Sequence, residues 1–101
     1  MKAITVAIHR QLKKWDKKGY GAMSINMGMC DSFAQELQEK FPDGRAMWGD
    51  EIPNKFPKDF DASGHYFFRY KGMFYDSECP QGCKTPMELP YYVRVITHVW
   101  G

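Results

Sequence analysis

A thiol, an imidazole and a carboxylate occur in this chain in an order that suits acyl transfer. Cys30 lies in Asn26-Met-Gly-Met-Cys30-Asp-Ser-Phe-Ala-Gln-Glu-Leu37, His65 follows Gly64, and Asp76 follows Tyr75. A thiol becomes a nucleophile when a base takes its proton and a third group fixes the base. Cys30 is the predicted nucleophile, His65 the base and then the acid, and Asp76 the residue that holds the imidazole tautomer. Developing negative charge on a carbonyl oxygen needs donors, which free backbone amides beside Cys30 and the Asn26 side chain would supply. Asp31, next to the thiol, is a further candidate for oxyanion or substrate positioning.

These roles demand particular elements. Cys30, Phe33, Ala34, Leu37 and Phe41 recur at helical spacing, with Gln35, Glu36, Gln38, Glu39 and Lys40 mostly outside that stripe, which predicts a helix over about 30–41 with Cys30 facing inward. Ser32 with Gln35 matches a capping box, while a cap near Gly28 would put Cys30 in the first turn. Either start leaves the sulfur near unpaired helix amides, which together with an imidazolium favour the thiolate. Residues 65–70 and 73–76 are rich in strand formers and flank Lys71-Gly72, a hairpin signal with a two-residue turn. Pairing Tyr70 with Met73 sets Phe67 opposite Asp76 and makes His65 its diagonal neighbour on the same face. A three-residue turn would send Asp76 to the opposite face, so turn length decides whether the two side chains meet.

The remaining elements are scaffold. Ile4, Ala7, Ile8, Gln11, Leu12 and Trp15 form an apolar stripe on a predicted helix over 3–17, with lysines at positions 13, 14, 17 and 18 on the other side and Gly19 as its stop. Those lysines suit the negative end of the helix dipole and read as a solvated face. Residues 20–29 read as a loop, Pro42-Asp-Gly44 as a turn, and Arg45–Trp48 as a short strand. Gly49 to Ser63, with two prolines, is predicted to be an irregular surface loop, and loops of that length tend to be functional or mobile. Two prolines and a Cys-Pro-Gln-Gly-Cys run make regular extended structure improbable over 77–90. Tyr91–Trp100, apolar on both alternating faces, is predicted to be a covered closing strand.

Composition bounds the function class. A chain of 101 residues holds one domain, and 44% hydrophobic content with 16% aromatic residues argues for a packed globule. Fourteen basic against twelve acidic residues give a net charge of +2, too small an excess to indicate nucleic acid. The pattern lacks a membrane span or a signal peptide, so a cytoplasmic chain without membrane or nucleic-acid partners is expected. Cys30, Cys79 and Cys83 are an odd number expected to stay reduced. Cys79-Pro-Gln-Gly-Cys83 could ligate a metal or form a local disulfide, but the further ligands a zinc site needs are lacking, so the two read as loop thiols, and neither metal nor cofactor is expected.

Gly28-Met-Cys30-Asp-Ser-Phe33-Ala34-Gln-Glu-Leu37, Gly64-His65-Tyr-Phe-Phe-Arg and Phe74-Tyr75-Asp76-Ser together resemble the papain-like cysteine hydrolase superfamily, in particular small phage and bacterial members with a transglutaminase-like layout. The resemblance covers about half the chain and implies one α+β domain over 1–101. Two helices would pack on a small antiparallel sheet, with Cys at a helix N-terminus and His and Asp on adjacent strands. It implies a cysteine hydrolase, as peptidase, amidase or acyl transferase, acting on a protein or peptide through a thioester. The chain departs from papain itself, which places a Gln ahead of the Cys and an aromatic after it, where this chain has Ser24, Asn26 and Asp31. The alternative is a non-catalytic binding or inhibitor module, phage-encoded, that occupies a host protein through the aromatic residues of the Trp48–Phe60 segment.

Overall fold

The computed structural model describes residues 1–100 as an α+β fold with four α-helices and one four-stranded antiparallel sheet. In chain order these are α1 (Ala3–Asp16), α2 (Ala22–Asn26), α3 (Cys30–Lys40), β1 (Arg45–Trp48), β2 (Tyr66–Tyr70), β3 (Met73–Asp76), β4 (Cys79–Cys83) and α4 (Pro90–Trp100). The strands lie in the order β1-β2-β3-β4. The long loop before β2 contains two single 3₁₀ turns, Gly49–Glu51 and Pro53–Lys55.

Alternation along the strands divides the core in two. Phe68 and Tyr75 face α1 and α3, where Ile4, Ile8, Trp15, Phe33 and Leu37 cover them together with Ile25 of α2. Phe67 and Phe74 face the other way, into Met47, Phe56, Ala62, Leu89 and Tyr92. The sheet is therefore the middle layer between two helices on one face and α4 with the long loop on the other. Buried Gln11 joins the first pair of helices by donating to the Phe33 carbonyl at 2.8 Å.

Turn chemistry fixes the central hairpin. Lys71 and Gly72 take φ of +50° and +78°, as a two-residue primed turn requires. Tyr70 pairs with Met73 and Phe68 with Tyr75, the register expected from the sequence. The outer strands are finished by side chains. The Ala46 and Trp48 N–H groups on β1 donate to Gln38 Oε1 at 2.8 Å and Glu51 Oε2 at 2.7 Å, and Lys2 Nζ donates to the Gln81 carbonyl of β4 at 2.6 Å.

Three secondary-structure expectations fail. Tyr91–Trp100 lies within helix α4 rather than a strand. Leu89 and Tyr92 are buried and Ile96 packs beside them, a spacing of three and four that outweighs the β-branched composition. Residues 77–90 contain strand β4, which tolerates Pro80 because it is an edge strand and absorbs its extra length at Gly82, φ +81°. Residues 22–26, expected to be loop, form the short helix α2. The helices thus number four rather than two. In addition, the loop aromatics are not displayed: Phe56 is buried and Phe60 packs in the same cluster, leaving Trp48 as the exposed aromatic of that segment. Among the described residues, no helix is long and apolar enough to cross a membrane.

Candidate active site

Cys30, His65 and Asp76 meet where β2 begins and β3 ends. Cys30 is the first residue of α3, brought there by the stripe of Phe33, Ala34 and Leu37 that anchors the helix to the sheet. His65 immediately precedes β2, and its carbonyl accepts from Gly49 N at 3.3 Å and from the Tyr92 hydroxyl at 3.5 Å. Asp76 closes β3. The two-residue turn places both on the α4 side of the sheet.

His65 is 0% and Asp76 4% exposed, and His65 Nε2 lies 2.9 Å from Asp76 Oδ2. A carboxylate only accepts, so Nε2 carries the hydrogen and Nδ1 is the basic nitrogen of the neutral ring. The other Asp76 oxygen, Oδ1, accepts from Glu78 N at 2.9 Å, so the carboxylate is held from two sides. Nδ1 is buried and has no hydrogen-bond partner within ordinary geometry, while the Cys30 thiol lies beside the ring and interacts with it. A loose thiol–imidazole contact is usual for a resting site, because such bonds tighten when substrate arrives.

The electrostatics act on both partners. Burial pushes the Cys30 thiol up and is the largest single influence. The neighbouring His65 ring, the Tyr66 N–H and the imidazolium charge outweigh it and leave the thiol below its ordinary value, with Asp31 opposing them. Burial pushes His65 down, but the Asp76 hydrogen bond, the Cys30 contact and the charges of both leave it above the usual histidine value. Each group therefore favours the ionised form of the other.

A pocket of about 310 Å³ opens onto the thiol, lined by Asn26, Met27, Gly28, Cys30, Asp31, Trp48, Gly64 and Tyr91. Asn26 is buried: its Oδ1 accepts from Ser77 Oγ at 2.9 Å and its Nδ2 donates to Glu78 Oε1 at 2.9 Å. One hydrogen of that amide is thus used, which leaves one further donor on Nδ2. Asp31 is exposed at the pocket mouth, its Oδ1 accepting from Ser32 N at 2.9 Å. As an acceptor-only carboxylate it is suited to a substrate N–H and not to an oxyanion.

Three contributors are hidden from the sequence because they depend on α4 and the β3–β4 turn. Tyr91 stacks on the His65 ring with centroids 4.3 Å apart and planes 19° apart. A Cβ on Gly64 would lie 2.7 Å from the Tyr91 hydroxyl, so glycine there admits the tyrosine. Glu78 is clamped by Arg94 through bonds of 2.8 and 2.7 Å, which hold its carboxyl below the ordinary range, with the Asn26 hydrogen bond assisting against burial. Pro90 followed by Tyr92 and Ile96 at helical spacing is the available signal for α4.

No family model, curated protein or solved structure matches this chain. The site is therefore read from its own chemistry. Among the described residues, no group of three or more His, Cys, Asp or Glu side chains is placed to hold a metal ion.

Proposed function

We propose that the chain is a thiol hydrolase or acyl transferase of papain-like organisation, acting at an amide or thioester carbonyl of a protein or peptide. The observation that carries this reading is the buried Asp76–His65 pair at 2.9 Å with the lowered Cys30 thiol beside the imidazole and lining an open pocket. In this reading Cys30 Sγ attacks the carbonyl carbon as a thiolate, with the proton held on His65 Nδ1. The resulting oxyanion takes hydrogen bonds from unpaired amides at the start of α3 and from the second Nδ2 hydrogen of Asn26. His65 then delivers its proton to the leaving group, the thioester forms, and water or a second nucleophile attacks it with His65 again as base. Asp76 keeps Nε2 protonated throughout, so Nδ1 faces the chemistry.

The support extends to how the site is held. Glu78 N braces Asp76, Glu78 Oε1 holds Asn26, and Arg94 fixes Glu78, so the orienter of the base and the oxyanion donor share one support. Met27 and Trp48, two of the few exposed large hydrophobic residues, line the pocket, as a binding surface for substrate would require.

The test is the pH dependence of Cys30 alkylation by iodoacetamide, followed by mass spectrometry. Cys30 should react at about pH 6 to 7 well ahead of an ordinary thiol, and His65→Ala should move its reactivity toward the free-cysteine range. A Cys30 that reacts like a free thiol, indifferent to His65→Ala, would overturn the reading.

A further inference from the structure

Cys79 and Cys83 begin and end β4, and the chain between them is longer than the strand it pairs with. Cys79 lies opposite Asp76 and Cys83 opposite Phe74, so four backbone steps on β4 match two on β3. Gly82 takes up the excess at φ +81°, and both side chains enter the same buried cluster beside Phe67 and Leu89. A regular strand would hold residues four apart at about 13 Å, whereas two steps of the partner strand span roughly 7 Å. The bulge thus brings the Cα atoms toward the separation, up to about 7 Å, at which a disulfide can close. Both thiols are free and, although only 4% and 8% exposed, both line a pocket of about 550 Å³. Cys83 Sγ has the Thr85 carbonyl at 3.2 Å and the Phe74 carbonyl at 3.7 Å as acceptors. With that hydrogen directed to a carbonyl, Cys83 is the less ready of the two thiols to ionise, and interaction between the pair lowers Cys79 and raises Cys83, which favours Cys79 as the attacking sulfur.

We propose that Cys79 and Cys83 are a redox-responsive dithiol, closed to an intramolecular disulfide by a low-molecular-weight disulfide, and that closure is sensed at His65. Cys79 loses its proton to solvent and attacks one sulfur of oxidised glutathione, releasing one glutathione thiolate. Cys83, losing its own proton, then attacks the mixed disulfide at Cys79 and releases the second. The protein loses two protons and two electrons, and oxidised glutathione becomes two molecules of the reduced form. The route to His65 is short, because Glu78, the neighbour of Cys79, braces Asp76 Oδ1 while Asp76 Oδ2 holds the imidazole. Closure that shifts Cys79 would act on its neighbour Glu78 and loosen the brace on Asp76.

The experiment uses Cys30→Ser, with Cys30→Ala as a second background if the first folds poorly, so its outcome is independent of Cys30 reactivity. After oxidised glutathione, intact mass should fall by two hydrogens and both maleimide-reactive thiols should disappear, with dithiothreitol restoring them. Adding Cys79→Ser or Cys83→Ser should leave at most a single glutathione adduct. The His65 titration followed by NMR should move to lower pH in the bridged protein, because Asp76 and Glu78, the two carboxylates that favour its imidazolium, are held less firmly beside it. Retention of both thiols, or glutathione adducts that never resolve to a bridge, overturns the dithiol. A bridge that leaves the His65 titration unmoved overturns the coupling.

Discussion

Replacing Asp76 by asparagine tests the tautomer argument through geometry alone. The carboxylate accepts from Glu78 N with one oxygen and from His65 Nε2 with the other, both at 2.9 Å. An amide has one oxygen. The Glu78 N–H can only donate, whereas the imidazole can exchange its tautomer, so the amide oxygen should stay with Glu78 and the NH₂ should face Nε2. Nε2 then becomes the acceptor and Nδ1 carries the hydrogen, which leaves no base for the thiol. The imidazolium also loses a charge-assisted hydrogen bond worth about 1.5–3 kcal/mol. At roughly 1.4 kcal/mol per pH unit, that lowers the thiolate–imidazolium population about 10- to 100-fold. Iodoacetamide alkylation of Cys30 near pH 6 should fall by that factor and recover toward the wild-type rate above the ordinary thiol range. Circular dichroism and urea unfolding verify that the variant is folded. An Asp76→Asn variant alkylated at the wild-type rate at about pH 6 would refute both the tautomer assignment and the role of Asp76.

The same framework fixes other outcomes. Tyr91→Ala should remove a ring contact worth about 0.5–1.5 kcal/mol and slow alkylation about 2- to 10-fold, while Tyr91→Phe retains the stack and most of the rate; equal rates for all three proteins would exclude the stack as a positioning contact. Glu78 sits below its ordinary value of 4.5 because of Arg94, so it adds stability above that pH which is lost as pH falls through its lower folded value. Acid-unfolding curves of Glu78→Gln should therefore be flatter than wild type below that ordinary value. Gly49→Ala should destabilise by about 1–3 kcal/mol, since its Cβ would lie 2.2 Å from both the Ala62 carbonyl and the Tyr92 hydroxyl; an unchanged urea midpoint would contradict that packing.

The legible parts of the chain are those in which one local rule dominates. The stripes of α1 and α3 are amphipathic, and Lys71-Gly72 sets the β2–β3 register through its positive φ angles. That register is why the His65–Asp76 contact follows from spacing. The α4 segment reads as a strand because Val93, Val95, Ile96 and Thr97 favour strands locally, while its fate is set by the cavity between the long loop and the sheet, which Tyr92 fills while donating to the Ala62 carbonyl at 2.7 Å. β4 is illegible for the opposite reason: it contains Pro80 and Gly82, and pairing with β3 overrides its poor propensity. Tyr91, Glu78 and Arg94 depend on those two elements, so their contribution to the site is hidden with them.

The finished margins of the sheet bear on how a peptide could lie across this protein. An extended peptide often gains affinity by adding itself to an open strand edge. Here the outer donors of β1 at Ala46 and Trp48 belong to Gln38 and Glu51, and an outer acceptor of β4 belongs to Lys2. Bound chains therefore find no ready ladder to extend at those positions, and the same covering discourages edge-to-edge association between copies. Under the proposed function, recognition of a peptide would come from side chains and amides around the thiol, which would make discrimination a matter of what fits between Trp48 and Tyr91 rather than of main-chain pairing.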